Sequence, residues 1–194
     1  MPTPNPPVPA GTALLIMDVQ PGIVDRIDDA EALLGRLAVA TEAAREAGLT
    51  VVYVKIGFRP GYPEVSPRNR AFAGLAESSA FVLGESSEIH PAVAPATSDI
   101  VVVKRRVSAF AGSDLDVVLR ARGVDRLVLA GIATSGVVLS TLRAAADLDF
   151  GITVLRDGCA DSDSEVHRVL LEKVFPRQAD VVTVDEWVAG LRST

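Results

Sequence analysis

Two ionisable residues stand where the chain changes from apolar to polar. Asp18 directly follows the apolar run 13–17, and Lys104 follows the run 100–103 in the same way. A charge in such a place is costly unless it is paired or takes part in chemistry. If both residues lie at one edge of a sheet, each favours the charged form of the other, which predicts a lowered pKa for Asp18 and a raised pKa for Lys104.

Position alone leaves two interpretations of these residues. The first is a structural ion pair at the ends of two strands, since such pairs also occur away from functional sites. The second is a catalytic carboxylate that acts as a general acid or base while the lysine holds its orientation and charge. The positions of the two residues do not decide between these interpretations.

The segments around these residues alternate between two patterns. Short apolar runs rich in β-branched residues are typical of strands buried on both faces, and the longer segments have helical spacing. The runs lie at 13–17, 51–56, 100–103, 126–130, 152–155 and 180–184, and the helical segments at 29–48, 113–123, 134–148 and 163–175. The alternation predicts an α/β, three-layer Rossmann-like fold with a six-stranded, mainly parallel sheet.

In such a sheet, ligands bind beyond the carboxyl ends of the strands, where Asp18 and Lys104 are expected. Two Pro/Gly-containing stretches, 57–74 and 84–95, are longer than ordinary connections, and we interpret them as walls of the site. Residues 11–194 are predicted to form a single domain behind a flexible, proline-rich leader at 1–10.

Composition excludes several function classes. A net charge of −6 argues against a nucleic-acid partner. The single cysteine rules out an intrachain disulfide and suits a reducing compartment. Neither a signal peptide nor a run of ~20 apolar residues is found, so we expect a soluble, cytoplasmic protein that binds a small molecule and no membrane.

Four segments in their order along the chain resemble the isochorismatase-like hydrolases, a superfamily also known as the cysteine hydrolase family. They are LLIMDVQ, VVVKRRVSAF, LVLAGIATSGVVLSTLRAA and VLRDGCADSDSEVHRVLLEKVF. The resemblance extends from about residue 10 to residue 188 and implies a triad of Asp, Lys and Cys. Asp18 and Lys104 match the first two members, but Val137 stands at the position of the nucleophilic cysteine.

An isopropyl group cannot attack a carbonyl, so the resemblance implies a member without the covalent cysteine step. Isochorismatases also lack that cysteine, and they cleave a vinyl ether without a covalent enzyme intermediate. They carry glycine at this position, however, and the bulkier Val137 argues against isochorismate as the substrate. We interpret Cys159 as a small packing residue. Ser135 and Ser140 lie near the start of a helix, where caps and solvent contacts are more common than nucleophiles.

The resemblance also implies a cis peptide bond between Ile132 and Ala133. A helix that begins near Thr134 would offer free N–H groups to a carboxylate or an oxyanion. Gln20, Phe110 and Ser135 are expected in the substrate pocket.

No cofactor and no metal ion are expected. The zinc-binding members of the superfamily use Asp and His in the loop after the second strand, and residues 57–70 contain neither. His90 and His167 are interpreted as surface residues. Three arginines of the long loop could instead hold an anionic substrate or simply be solvated: Arg59, Arg68 and Arg70.

The leading hypothesis is therefore a hydrolase that acts on a small anionic metabolite through Asp18 and Lys104. The alternatives are a non-catalytic binding homologue and an amidohydrolase that uses water in place of cysteine. The resemblance further implies a homo-oligomer, a dimer or tetramer. Four aromatic residues are expected to be exposed as anchors of its interface: Phe58, Tyr62, Phe72 and Phe81.

Overall fold

The computed structural model describes residues 11–84 and 87–192, and the predicted leader at 1–10 lies outside them. Six strands form one sheet: β1 (Thr12–Met17), β2 (Thr50–Ile56), β3 (Ile100–Lys104), β4 (Arg126–Ile132), β5 (Gly151–Ala160) and β6 (Asp180–Val182). The strand order is β3-β2-β1-β4-β5-β6, and every neighbouring pair is parallel. The predicted α/β class and the six strands are confirmed.

Helices cover both faces of the sheet. They are α1 (Pro21–Val24), α2 (Ala30–Glu46), α3 (Arg70–Glu77), α4 (Leu115–Ala121), α5 (Leu139–Asp147), α6 (Ser164–Val169) and α7 (Val184–Leu191). Two π-helical turns, Thr134–Val138 and Leu170–Val174, precede α5 and follow α6. Two 3-10 turns lie at Pro91–Val93 and Phe175–Arg177. None of the helices in the described part of the chain has the length and apolar character needed to cross a bilayer.

The chain has two large apolar cores, one on each face of the sheet, because successive side chains of a strand point in opposite directions. From β1, Leu15 and Met17 pack into a cluster with residues of α4 and α5. Leu14 and Ile16 pack into a second cluster with residues of α2 and α7. This arrangement gives the three layers that the alternation predicts.

The long stretch after β2 departs from the prediction of exposed aromatic residues. Phe58, Phe72 and Phe81 have exposed fractions of 0%, 4% and 7%, and with Ile56 they form a small core of their own. The helix α3 returns over β2 and brings the Phe72 ring to 5.8 Å from the Phe58 ring. The Tyr62 hydroxyl donates a hydrogen bond to Ala80 O at 2.7 Å. The predicted exposure of Phe58, Phe72 and Phe81 was therefore wrong, and Tyr62 is partly buried.

Gly131 sets the spacing between β4 and β1 at the edge where Asp18 follows. Its φ is +136°, and a Cβ at this residue would lie 2.1 Å from Met17 O. No other residue fits so close an approach of two backbones. On its other side, β4 pairs with β5, and the register of this pair shifts near Gly131. Leu129 pairs with Val154 and Gly131 pairs with Cys159, so a step of two residues on β4 matches a step of five on β5.

Candidate active site

Asp18 and Lys104 meet at the carboxyl edge of the sheet, although β2 lies between β1 and β3. Lys104 Nζ is 2.8 Å from Asp18 Oδ2, and the two side chains are only 2% and 8% exposed. A long lysine side chain spans the intervening strand and brings its charge to the carboxylate. The structure therefore brings together the two ionisable residues singled out from the sequence.

Asp18 also ends β1 through its backbone. Its φ of +57° lies in the left-handed region, which few residues other than glycine adopt and which Asp tolerates better than most. Its N–H still donates to Val54 O at 2.8 Å, so the residue remains attached to β2 while the chain leaves the sheet. The carboxylate is thus held on a fixed backbone.

The ammonium group of Lys104 is fully engaged by the protein. Besides Asp18, it donates to Arg106 O at 2.9 Å and to Val107 O at 3.1 Å. A lysine ammonium has three N–H donors, and these contacts use all three. Lys104 therefore acts on the position and charge of Asp18, and a substrate could contact it directly only by displacing one of these partners.

The free oxygen of Asp18 has the opposite character. Oδ1 is buried and has no hydrogen-bond partner within the described residues. Burial raises the pKa of Asp18 to about 6, although the charge and hydrogen bond of Lys104 oppose that rise. The lowered pKa expected from the sequence was wrong because the loss of hydration outweighs the attraction of the lysine. An unpaired oxygen that binds a proton near neutral pH is suited to proton transfer.

Val137 lies in the π-helical turn Thr134–Val138, directly after β4. Its side chain is 2% exposed and belongs to the apolar cluster formed with α4 and α5. The peptide bond between Ile132 and Ala133, immediately before this turn, is cis. The turn thus supplies an apolar side chain and no nucleophile at residue 137.

Asp161 occupies part of the helix start that was expected to attract a ligand anion. Its Oδ2 accepts a hydrogen bond from the N–H of Ser135 at 2.7 Å, and its Oδ1 accepts one from the N–H of Asp163 at 3.3 Å. The protein's own carboxylate therefore satisfies one of the free N–H groups. Sequence reasoning missed this role, although an Asp beyond the end of β5 and near a helix start fits the usual preference for capping residues.

Gln20 holds the backbone around the site together. Its side chain is fully buried, and Nε2 donates to Ile56 O and to Ser87 O, both at 3.0 Å. Its Oε1 accepts from the N–H of Ile56 at 2.8 Å. These contacts give Gln20 a structural role at the end of β2, where the sequence suggested a contact with substrate.

We expect Gln20→Leu to lower the free energy of unfolding by about 2–4 kcal/mol, because it leaves two carbonyl groups and one N–H buried without partners. Urea denaturation of the intact chain measures this loss. Gln178, the other glutamine, is a suitable control because its Oε1 accepts only a surface hydrogen bond from Arg143. Gln178→Leu should change stability by less than about 0.5 kcal/mol. Equal losses in both variants would contradict the structural role of Gln20.

Phe110 packs against protein as well. Its ring lies 6.0 Å from that of Phe150, against the cluster that contains Val137. Ser135, the third residue expected in the pocket, is exposed and contributes its N–H to Asp161.

Cys159 has the environment of a packing residue. It is 5% exposed, and its Sγ lies 3.9 Å from Leu129 O. Burial raises the pKa of the thiol to about 12, so it stays protonated at neutral pH. A protonated, buried thiol is a poor nucleophile.

The basic residues near the site are largely paired. Glu64 lies 2.6 Å from Arg59 Nη1 and 3.3 Å from Arg105 Nε. Arg68 and Arg70 lie on the exposed surface of the long loop. Of the three arginines considered for a substrate anion, Arg59 is therefore already engaged by a carboxylate.

The two histidines differ in their surroundings. His90 Nδ1 accepts a hydrogen bond from the N–H of Ala92, which caps a short 3-10 turn. His167 is half-buried and its Nδ1 lies 2.8 Å from Thr134 Oγ1, so its interpretation as a simple surface residue was wrong. Within the ranges 11–84 and 87–192, no three His, Cys, Asp or Glu residues are grouped to hold a metal ion.

Comparison with known proteins gives one consistent result. Residues 12–186 match the model of the isochorismatase domain. The chain is 36% identical over 184 residues to the uncharacterized isochorismatase family protein YecD of Escherichia coli O157:H7, covering 93% of this chain and 96% of that protein. It is 33% identical over 207 residues to the ureidoacrylate amidohydrolase RutB of Methylobacterium radiotolerans, covering 94% of this chain and 78% of the relative.

A solved structure shows the same fold. The structure of an isochorismatase family protein from Burkholderia thailandensis superposes with a TM-score of 0.82 at 28% identity. The similarity covers 96% of this chain and 98% of the other.

Proposed function

The chain belongs to the isochorismatase domain family, and we propose that it hydrolyses a small metabolite through Asp18 and Lys104, with no covalent cysteine intermediate. One observation carries the proposal: the buried oxygen Asp18 Oδ1 has no partner and belongs to a carboxyl group whose pKa is about 6. Such a group can take up and release a proton within one turnover near neutral pH.

The proposed substrate class is an amide attacked directly by water, and the similarity to the ureidoacrylate amidohydrolase RutB supports this choice. Ionised Asp18 takes a proton from the water at Oδ1 while the water oxygen bonds to the carbonyl carbon. Asp18 then gives that proton to the leaving nitrogen as the C–N bond breaks. One water is consumed, and the carboxylate returns to its ionised form. Proton transfer of this kind typically contributes ~10²–10⁴-fold to the rate.

Lys104 has a supporting part in this scheme. Its charge keeps the pKa of Asp18 from rising further, and its bonds to Arg106 O and Val107 O fix the ammonium in place. Because all of its donors are used, its effect on the reaction passes through Asp18.

The proposed substrate is an anion, but the charged groups around the site already have partners within the protein. Arg59 and Arg105 pair with Glu64, and Asp161 holds the N–H of Ser135. A substrate carboxylate must compete with these internal partners. Comparing an acid with its neutral ester therefore tests the charge preference separately from the reaction.

A second candidate is a binding protein without turnover. Val137 favours it, because the residue offers neither a nucleophile nor a polar contact to a reacting group. In that case the chain should bind the same compounds saturably and release no product.

A turnover screen separates the candidates. The panel contains ureidoacrylate, the compound in the name of the RutB relative, together with the methyl ester of ureidoacrylate. It also contains other small amides and small vinyl ethers. We expect hydrolysis of an amide, with kcat/KM rising with pH through about 6 and then levelling, because Asp18 must be ionised to accept a proton from water. A decline above pH 6, confined to vinyl ethers, would show instead that protonated Asp18 is the active form.

The homo-oligomer implied by the family resemblance stays a prediction. Three of the four aromatic residues expected to anchor it are buried within the protomer and do not form an interface. Light scattering at micromolar concentration should give a mass of two or four chains, and a monomer mass would contradict it.

A further inference from the structure

A cavity of about 290 Å³ lies between β5, α6 and the start of α7. Its polar lining comprises Arg156, Asp157, His167, Arg168, Glu172 and Thr183. Neither Asp18, Lys104 nor Val137 is part of this lining, so the cavity is separate from the candidate active site. We refer to it as the His167 cavity.

The carboxylates of the His167 cavity are already satisfied. Asp157 Oδ1 accepts from the N–H of Val184 at 2.7 Å, and its Oδ2 lies 3.6 Å from Arg36 Nε. Glu172 Oε2 pairs with Arg168 Nη1 at 2.8 Å. Three of these four carboxylate oxygens therefore have partners in the protein, and Arg168 is neutralised.

The proton on His167 can be assigned from its partner. Thr134 is fully buried, and its contact with His167 Nδ1 is the side-chain hydrogen bond that the structure records for its hydroxyl. If Nδ1 carried the proton, the Thr134 hydroxyl hydrogen would be buried with no acceptor, which is costly. The hydroxyl therefore donates to Nδ1, and the neutral ring carries its proton on Nε2. Burial lowers the pKa of His167, which favours this neutral ring.

Three hydrogen-bond donors of the lining then remain for a ligand. They are the Nε2–H of His167, the guanidinium of Arg156 and the hydroxyl hydrogen of Thr183, whose oxygen already accepts from the N–H of Glu186. Arg156 is exposed, and its guanidinium makes no hydrogen bond or ion pair within residues 11–84 and 87–192, although its charge helps to lower the pKa of Glu186. A lining with three open donor groups, and with most of its carboxylate oxygens engaged, suits a ligand that only accepts hydrogen bonds.

We propose that the His167 cavity binds a small oxyanion, a carboxylate or a phosphate. The planar fork of the Arg156 guanidinium matches the two oxygens of such a group, and its charge selects an anion over a neutral acceptor. The ring of His167 joins the cavity to Thr134, the first residue of the turn that carries Val137. An anion bound to His167 Nε2 is therefore linked through the imidazole ring, by two hydrogen bonds, to the Thr134 hydroxyl at the start of that turn.

The test is a titration of the ¹⁵N-labelled full chain with inorganic phosphate and, separately, with succinate. We expect saturable changes in ¹H–¹⁵N chemical shifts with at least one of the two anions, including the amide of Thr134. The long-range ¹H–¹⁵N correlation spectrum of the histidine side chains should show the proton of His167 on Nε2. Arg156→Gln should weaken binding by about tenfold or more, because it removes the charge-assisted contact. Arg122→Gln removes an exposed arginine at the end of α4 and should leave the affinity unchanged.

Asp18→Asn distinguishes this cavity from the active site and should also leave the affinity unchanged. Saturation by phosphate alone or by succinate alone identifies the source of the oxyanion. The proposal would be overturned by the absence of saturable binding of either anion, by equal weakening in the two arginine variants, or by loss of binding in Asp18→Asn. A proton found on Nδ1 of His167 would remove the donor on which the proposal depends.

Discussion

Asp18→Asn is expected to lower kcat/KM on any amide that the chain hydrolyses by ~10²–10⁴-fold. The asparagine keeps the size of the side chain but cannot take a proton from water or return one to the leaving nitrogen. Steady-state kinetics with the best substrate of the screen measures the effect.

A matched control exists at the opposite end of β3. Asp99 is also a buried carboxylate, 3% exposed and 2.5 Å from Arg45 Nη2. Asp99→Asn should cost stability but leave kcat/KM within about twofold, because this pair lies far along the strand from the carboxyl edge. Similar kinetic losses in the two variants would show that Asp18 matters only for folding.

Lys104→Met is expected to raise the pKa of Asp18 above its value of about 6, because burial remains while both opposing effects of the lysine disappear. The rise of kcat/KM with pH should therefore move to higher pH. The kcat/KM of Lys104→Met should therefore be closer to that of the unchanged chain at high pH than at neutral pH. A profile with an unchanged midpoint would contradict the role assigned to Lys104.

The same variant tests the link between protonation and stability. The pKa of Asp18 in the folded chain is already above the ordinary value of 3.8, so its contribution to stability is present below that value and is lost as pH rises through about 6. Removing Lys104 leaves the carboxylate buried without its counter-charge, at a cost of about 3–5 kcal/mol once it ionises. Urea unfolding at pH 5 and pH 8 should show the larger loss at pH 8.

Much of the fold could be predicted from the sequence because its elements have strong local signals. In α2, Leu33, Leu37, Ala40 and Ala44 recur at the three- and four-residue spacing of one helix face, and all four are buried. Gly48 follows that helix with a φ of +69°, as expected for a residue just beyond a helix end. Buried runs of β-branched residues marked the strands in the same way.

The aromatic cluster shows where local signals fail. Phe58 and Phe72 are separated by a proline-rich stretch, and their burial depends on the return of α3 over the end of β2. A hydrophobic residue in such a stretch has the same local signature whether it faces solvent or a distant partner. The sequence therefore predicted exposed rings where the structure has a small core.

For the site, the sequence indicated which residues meet but not their energetic balance. Asp18 and Lys104 were placed together because the carboxyl ends of parallel strands share one edge. The direction of the Asp18 pKa depends on how completely the pair is buried, which the neighbouring residues do not reveal. The roles of Gln20 and Asp161 depend on contacts with distant backbone groups, and local spacing did not predict them.

The most direct test of a mechanism without covalent cysteine is the turnover of the Cys159→Ala variant. Cys159 is the sole cysteine of the chain, so this variant has none. Its thiol is buried and its pKa is about 12, and we therefore expect kcat/KM within about twofold of that of the unchanged chain. A loss of about 100-fold or more in a variant that unfolds at the same urea concentration would show that Cys159 is the nucleophile and would contradict a mechanism without covalent cysteine.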